Sequence, residues 1–278
     1  MINNKTISVL LCKRLDYGRR VLEHIEKCSD RESEKWKTHV FIDVPGHKSD
    51  LPYHMGQQSV EHEAIVQMAQ SFDFVEQVTV AKKQLGLKSA TKWALREMFV
   101  RHKSDFNLHV EDDILLGPDA LSYAGECASY LSSQEAIDNK IATVTLQGWM
   151  GAGSDVAPES PQYCSDRPSD LNKIFAYPHF TCGWGWGMTR KFYFSDFFNM
   201  EDQKVDASWA TDLFKHFRKH NYRELRSNAR KTKNIGEDFS THFHGKIKSN
   251  NPNLNCLDVE DEWSGADQPP VWNWEFSL

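Results

Sequence analysis

The feature that most constrains the fold is a regular alternation, over the first 110 residues, of short apolar runs with stretches of helical periodicity. "TISVLLC" (6–12), a short, β-branched, continuous apolar run, reads as a buried strand, and "KTHVFIDV" (37–44), "FVEQVTVA" (74–81) and "FNLHV" (106–110) read as further strands. Between them, "YGRRVLEHIEKCSD" places Val21, Leu22, Ile25 and Cys28 on one helical face. Residues 59–71 read as a helix, and "KSATKWALREMFVRHK" (88–103) as an amphipathic one. The order β-α-β-α-β-α-β predicts an α/β protein with a mainly parallel, Rossmann-like sheet and crossover helices. Such sheets bind ligands outside the carboxyl ends of their strands.

The second half is less regular. Helices are expected over 119–133, "TRKFYFSDFF" and "DASWATDLFKHFRKHN", and extended segments over 140–149 and 173–180. Residues 150–170 are polar and without periodicity, so a loop is expected there. No repeat or low-complexity linker divides the chain, so one domain is expected over 1–248 with a tail, 249–278, packed on it. Trp263, Trp272 and Trp274 in the tail serve either that docking or an acceptor site.

Composition excludes some functions. A formal net charge of −6 argues against a nucleic-acid partner, which calls for a basic footprint. The six cysteines show no CxxC spacing, so neither a zinc site nor a disulfide framework is expected. The apolar run near the start, Ile7 to Cys12, is too short for a transmembrane segment or a signal core and ends at Lys13 and Arg14. A cytoplasmic location is therefore expected, with room for peripheral membrane contact.

Four motifs carry chemistry. In "NLHVEDDILLGPDAL" the fourth strand runs into Glu111, Asp112 and Asp113. Three adjacent carboxylates near a core are costly unless solvated, paired or metal-bound. A hard cation, Mn²⁺ or Mg²⁺, held by one or two of them and by a substrate's phosphates resolves the repulsion; a solvated acidic turn is the plainer alternative. Strand alternation predicts that Glu111 and Asp113 share a face and Asp112 points elsewhere. In "HFTCGWGWGMTRKFY", Gly183, Gly185 and Gly187 alternate with Trp184 and Trp186. This is either a backbone approach to a ligand with indole faces for a sugar, or a tight aromatic core turn. Asp206 and Asp212 lie near the start of a helix, as caps or as a general base. His242 and His244 in "NIGEDFSTHFHGK" are structural or exposed imidazoles, or ligands for a cation such as Mn²⁺.

In this order the motifs resemble a GT-A-fold glycosyltransferase that uses a nucleotide-sugar donor. The likeness is to the family of the β-1,2-N-acetylglucosaminyltransferase that starts complex N-glycans, and to bacterial family-2-like transferases, over about residues 6–245. The resemblance implies that Arg14, closing "ISVLLCKRLDY", contacts the donor's diphosphate or nucleotide, and that Asp43 in "VFIDVPGH" reads the base. It makes Asp113 the direct metal ligand, with Glu111 and Asp112 on the sugar and ribose. Gly183, Trp184 and Trp186 would line the donor sugar and acceptor, and His242 would lie near metal and diphosphate. The family sets its base in a "W-D-D-W" pattern where this chain has "DASWATDL"; Asp212 is the first candidate and Asp206 the second. A metal-dependent, inverting hexosyl transfer to a glycan or glycolipid acceptor follows, with a UDP-sugar favoured. A nucleotidyltransferase, or a degenerate sugar- or nucleotide-binding scaffold, stand as alternatives.

Overall fold

The computed structural model describes residues 2–28, 36–45, 55–147, 173–178, 183–200, 209–227, 231–235 and 275–277. The first half contains β1 (Lys5–Leu11), α1 (Leu15–Lys27), β2 (Lys37–Ile42), α2 (Met55–Gln70), β3 (Val75–Val80), α3 (Leu87–Arg96) and β4 (Phe106–Glu111). After them come β5 (Ile114–Leu116), α4 (Ala120–Leu131), α5 (Gln134–Asp138), β6 (Ile141–Thr145) and β7 (Lys173–Pro178). The chain continues with β8 (Trp186–Thr189), α6 (Arg190–Ser195), α7 (Trp209–His220), β9 (Arg223–Ser227), β10 (Thr232–Asn234) and β11 (Glu275–Ser277).

Among the described residues nine strands form one sheet in the order β11-β7-β9-β6-β8-β4-β1-β2-β3, and β5 pairs with β10 in a small second sheet. Five neighbouring pairs of the large sheet are parallel and three antiparallel, which matches the mainly parallel expectation. The alternation in β1 explains the layers. Ile7, Val9 and Leu11 point into a core shared with Val21, Leu22 and Ile25 of α1, while Leu10 meets Ala90, Ala94 and Met98 on the other face. Each such aliphatic side chain contributes about 1.5–3 kcal/mol on burial. A second cluster, with Phe99, Trp186, Trp209, Leu213 and Phe217, fills the space between the sheet and α6 and α7.

A row of fully buried polar side chains crosses the β1–β4 seam. Ser104 Oγ lies 2.7 Å from Thr6 Oγ1, which donates to Asn107 Oδ1 at 2.8 Å. Asn107 Nδ2 donates to Ser8 Oγ at 2.9 Å, and Ser8 Oγ lies 3.0 Å from His109 Nδ1. Buried polar groups satisfied one by another in this way specify register, because a slipped strand would leave them unpaired.

The structure departs from the sequence-based reading in four places. The helix over 88–103 is regular only to Arg96 and widens into a π turn over Glu97–Arg101, which directs Met98 and Phe99 into different core clusters. The glycine-tryptophan segment contains a strand, β8, where only a turn was expected. "RELRS" forms β9, which no apolar alternation announces. The helix read over 59–71 begins earlier, at Met55. The polar loop 150–170 and most of the tail, including Trp263, Trp272 and Trp274, lie outside the described residues; β11 pairs in parallel with β7.

Candidate functional site

The acid triplet lies at the carboxyl end of β4, next to the carboxyl end of β1: Glu111 pairs with Leu10. The crossover from β1 into α1 therefore brings Arg14 to the acids. Arg14 Nε donates to Asp112 Oδ2 at 3.2 Å, and Nη2 donates to Asp112 Oδ1 and, at 3.0 Å, to Asp113 Oδ2. The Tyr17 ring lies 5.0 Å from the guanidinium carbon, a cation–π distance.

The expected pairing of faces is thereby corrected. Asp112 and Asp113 share one partner, and Glu111 is the acid set apart. The strand ends at Glu111, so the alternation that governs side chains within a strand stops before Asp112. Glu111 instead accepts a hydrogen bond from the Trp209 side chain. Burial pushes the Glu111 carboxyl up to about 8, with help from Asp113 and Asp112, against the pull of Trp209 and Arg14. Burial also raises Asp112, opposed by Arg14. Cys12, beside the acids, is pushed up to about 12 by burial and then by Asp112 and Asp43, so its thiol stays protonated and inert.

Asp43 closes β2 and is buried. Its Oδ1 accepts from Val44 N and Leu85 N at 2.8 Å each, and its Oδ2 from Gly86 N at 2.9 Å. Three of its acceptor positions thus fasten β2 to the turn that starts α3, where Gly86 adopts a φ of 75°.

The glycine-tryptophan segment divides by residue. Trp186 is a correction to the donor-lining expectation: it is fully buried, stacked on Trp209 with centroids 4.7 Å apart, and offers no open face to a sugar. Gly183 lies against that same Trp209, since a Cβ there would come within 2.6 Å of the indole. Gly187 permits β8 to pair with β4, because a Cβ would stand 2.4 Å from Phe106 Cζ and 3.0 Å from the Asn107 carbonyl oxygen. Trp184 is half-buried at the edge of the main core.

The two candidate bases part company. Asp212, on the inner face of α7, has a fully buried side chain, and Lys88 Nζ from the first turn of α3 lies 2.7 Å from its Oδ2. Asp206 and His242 lie outside the described residues. The segment leading toward His242 does reach the site: Ile235 N donates to the Asp113 carbonyl at 2.8 Å, and β10 pairs with β5 directly after the acids.

Sequence reasoning missed Trp209, Lys88 and His109. Trp209 precedes Asp212 at helical i, i+3 spacing, a signal that was available. His109 stands two residues before Glu111 on the same strand face, buried beside Trp186 and Trp209 with ring centroids 6.0 and 6.4 Å away. Nothing in the sequence distinguishes Lys88 from the other lysines of its stretch.

Among the described residues no group of three His, Cys, Asp or Glu side chains is arranged to hold a metal ion. A hard cation that takes most of its oxygens from substrate phosphates and water needs only one or two carboxylates. Asp113 fits that need, because its Oδ1 is buried and has no hydrogen-bond partner among the described residues. No described helix is long and apolar enough to cross a membrane.

No protein-family model matches the chain, and no curated protein matches it. Among solved structures it is similar to Staphylococcus aureus TarS, at 11% identity and a TM-score of 0.51, over 83% of this chain and 36% of that one. A shorter TarS piece, residues 1–349 in complex with UDP-GlcNAc, aligns at 13% identity and a TM-score of 0.48, over 83% and 58% of the two chains. The mannosyltransferase PcManGT from Pyrobaculum calidifontis, in complex with GDP-Man and Mn²⁺, aligns at 15% identity and a TM-score of 0.49. That alignment spans 81% of this chain and 55% of the mannosyltransferase, so the chain matches about half the length of that protein. What the likeness shows is the fold, a GT-A-like α/β architecture.

Proposed function

We propose that this chain is a glycosyltransferase that moves a sugar from a nucleoside-diphosphate donor to a hydroxyl acceptor, assisted by Mn²⁺ or Mg²⁺. The observation that carries the reading is the acid turn at the carboxyl end of β4. There Asp113 keeps one buried carboxylate oxygen without a partner among the described residues, while Arg14 bridges its other oxygen to Asp112. That is the edge at which sheets of this kind take ligands.

In this reading Asp113 holds the cation, whose contribution is to neutralise the diphosphate as a leaving group. Arg14 offers the diphosphate a planar bidentate donor. Glu111 and Asp112 face the donor's sugar and ribose, with Glu111 oriented by Trp209. Gly183 and Trp184 border the sugar side. Asp43 keeps one acceptor position for a base N–H beyond its three backbone donors. His242 is assigned to the neighbourhood of the metal and diphosphate by the resemblance alone. The base takes the acceptor's proton in a single displacement that inverts the anomeric centre. Asp212 is held by Lys88 inside the protein, so we assign the proton transfer to Asp206 and give Asp212 the task of anchoring α7 beside the site. We favour a UDP-sugar donor and a glycan or glycolipid acceptor, with the protein working in the cytoplasm.

One observation favours a second reading. A base candidate locked in a buried ion pair is what a donor-binding scaffold without transfer would keep. Calorimetric titration of UDP-, GDP-, CMP- and dTDP-sugars, with Mn²⁺ and with EDTA, tests the site. Metal-dependent binding of one donor, lost in Asp113→Ala, is the expected result. No donor bound under any condition, with the variant indistinguishable from wild type, overturns it. Donor hydrolysis or transfer then separates the enzyme from the scaffold.

A further inference from the structure

We infer that Arg14 is the built-in counter-ion of the acid turn, and that its release from Asp112 and Asp113 couples cation binding to diphosphate binding. The inference deepens the proposed function and rests on it.

Three of the four carboxylate oxygens of Asp112 and Asp113 are hydrogen-bonded to one guanidinium. The backbone of Arg14 is fixed, since its carbonyl accepts from Gly18 N at 2.9 Å at the start of α1. The side chain is long, a quarter exposed and backed by the Tyr17 ring. The head group therefore has a firm base and a path to pivot. Asp113 Oδ1 is the position left to a cation, and it belongs to a carboxylate whose other oxygen already holds a positive charge.

A divalent cation and a guanidinium on one carboxylate repel each other, so a cation arriving alone binds against Arg14. A diphosphate supplies Arg14 with a second bidentate partner and frees Asp113. Each ligand thereby favours the arrangement that the other prefers, and linkage makes the effect reciprocal. Lysine cannot reproduce the span, because an ammonium is a point charge and not a planar fork.

The test measures Mn²⁺ binding by electron paramagnetic resonance, with and without UDP, for wild type, Arg14→Lys and Arg14→Gln. Wild type should bind Mn²⁺ weakly alone and at least about tenfold more tightly with UDP. Arg14→Lys should bind Mn²⁺ alone roughly tenfold more tightly than wild type and lose a similar factor of the UDP-dependent gain. Wild-type Mn²⁺ affinity in both variants overturns the inference. Tighter binding in Arg14→Gln with Arg14→Lys unchanged supports Arg14 as the counter-ion and refutes only the need for a planar fork. A wild type that binds Mn²⁺ tightly with no gain from UDP also overturns the inference, while leaving the transferase reading standing. No Mn²⁺ bound with any nucleoside diphosphate sinks the transferase reading itself. If the variants do not fold, the wild-type Arg14 Nε–H resonance decides: it should move with diamagnetic Mg²⁺ plus UDP, and an unmoved signal overturns the coupling.

Discussion

Replacing Lys88 with methionine should be among the most destabilising single changes at this end of the molecule. The substitution keeps the aliphatic stem and removes the ammonium 2.7 Å from Asp212 Oδ2, on a carboxylate with no exposed surface. Lys88 itself is only 16% exposed, so solvent screens little of the pair. Removing one partner of a buried ion pair costs about 3–5 kcal/mol, because the remaining charge is stranded in the interior. In a domain of this size each kcal/mol moves the melting temperature by about 2–4 °C, so Lys88→Met should lower it by roughly 6–20 °C. Asp212→Asn in the same background removes the stranded charge and should recover much of the loss. A four-protein cycle followed by urea unfolding should give a coupling of about 2–3 kcal/mol. A Lys88→Met protein within about 0.5 kcal/mol of wild type, or losses that simply add, would refute the argument.

Acid should weaken the fold through its histidines. Burial lowers His109 to about 3, so it stays neutral when folded, whereas the unfolded chain takes up a proton below about pH 6.5. His109 therefore removes about 2 kcal/mol of stability as pH falls from about 6.5 to 5, while Glu111, raised to about 8, adds stability over the same range, so urea unfolding at pH 7 and 5 of wild type against His109→Gln isolates the histidine's loss. His39, lowered to about 4 by burial and then by neighbouring His102, adds in the same direction. Gly187→Ala drives a methyl into Phe106 and toward the Asn107 carbonyl, at a cost of about 1–3 kcal/mol; thermal unfolding unchanged from wild type would contradict that packing. Trp209→Phe keeps an aromatic ring near Trp186 but removes the N–H from Glu111, so the Glu111 carboxyl should titrate still higher. Carbon-13 NMR of labelled glutamate would show this, and an unmoved titration would mean the hydrogen bond does not form in solution.

The parts of the fold legible in the sequence are those held by apolar burial. β1, β2 and β4 carry enough apolar residues on both faces to read as buried strands, and the acids fall at the end of β4 as their spacing indicated. β9 escapes that logic. Glu224 and Arg226 are buried charges set 3.5 Å apart, and Arg226 lies 5.2 Å from the Tyr177 ring, so a core strand reads as a surface loop. β8 escapes it as well, since its Gly187 serves close strand pairing and supplies no apolar bulk. The triplet announced that its charge needed compensation, yet Arg14 lies 98 residues before Asp112 and only the sheet order brings the two together. Trp186 shows the opposite error: a residue type suited to sugars, placed by alternation in the interior.

The position of β8 also sets a timetable. Residues 5–111 supply β3, β2, β1 and β4 in one local succession, but β4 receives its second neighbour only when β8, at 186–189, has been made. Until then the nascent chain carries a hydrophobic strand with one unpaired edge, a template for adhesion to other chains. The acid turn is completed later still, when Ile235 reaches the Asp113 carbonyl. A chain released before that residue would hold all three acids and Arg14 without the strand that pairs with β5 behind them, so assembly of the site waits for β10.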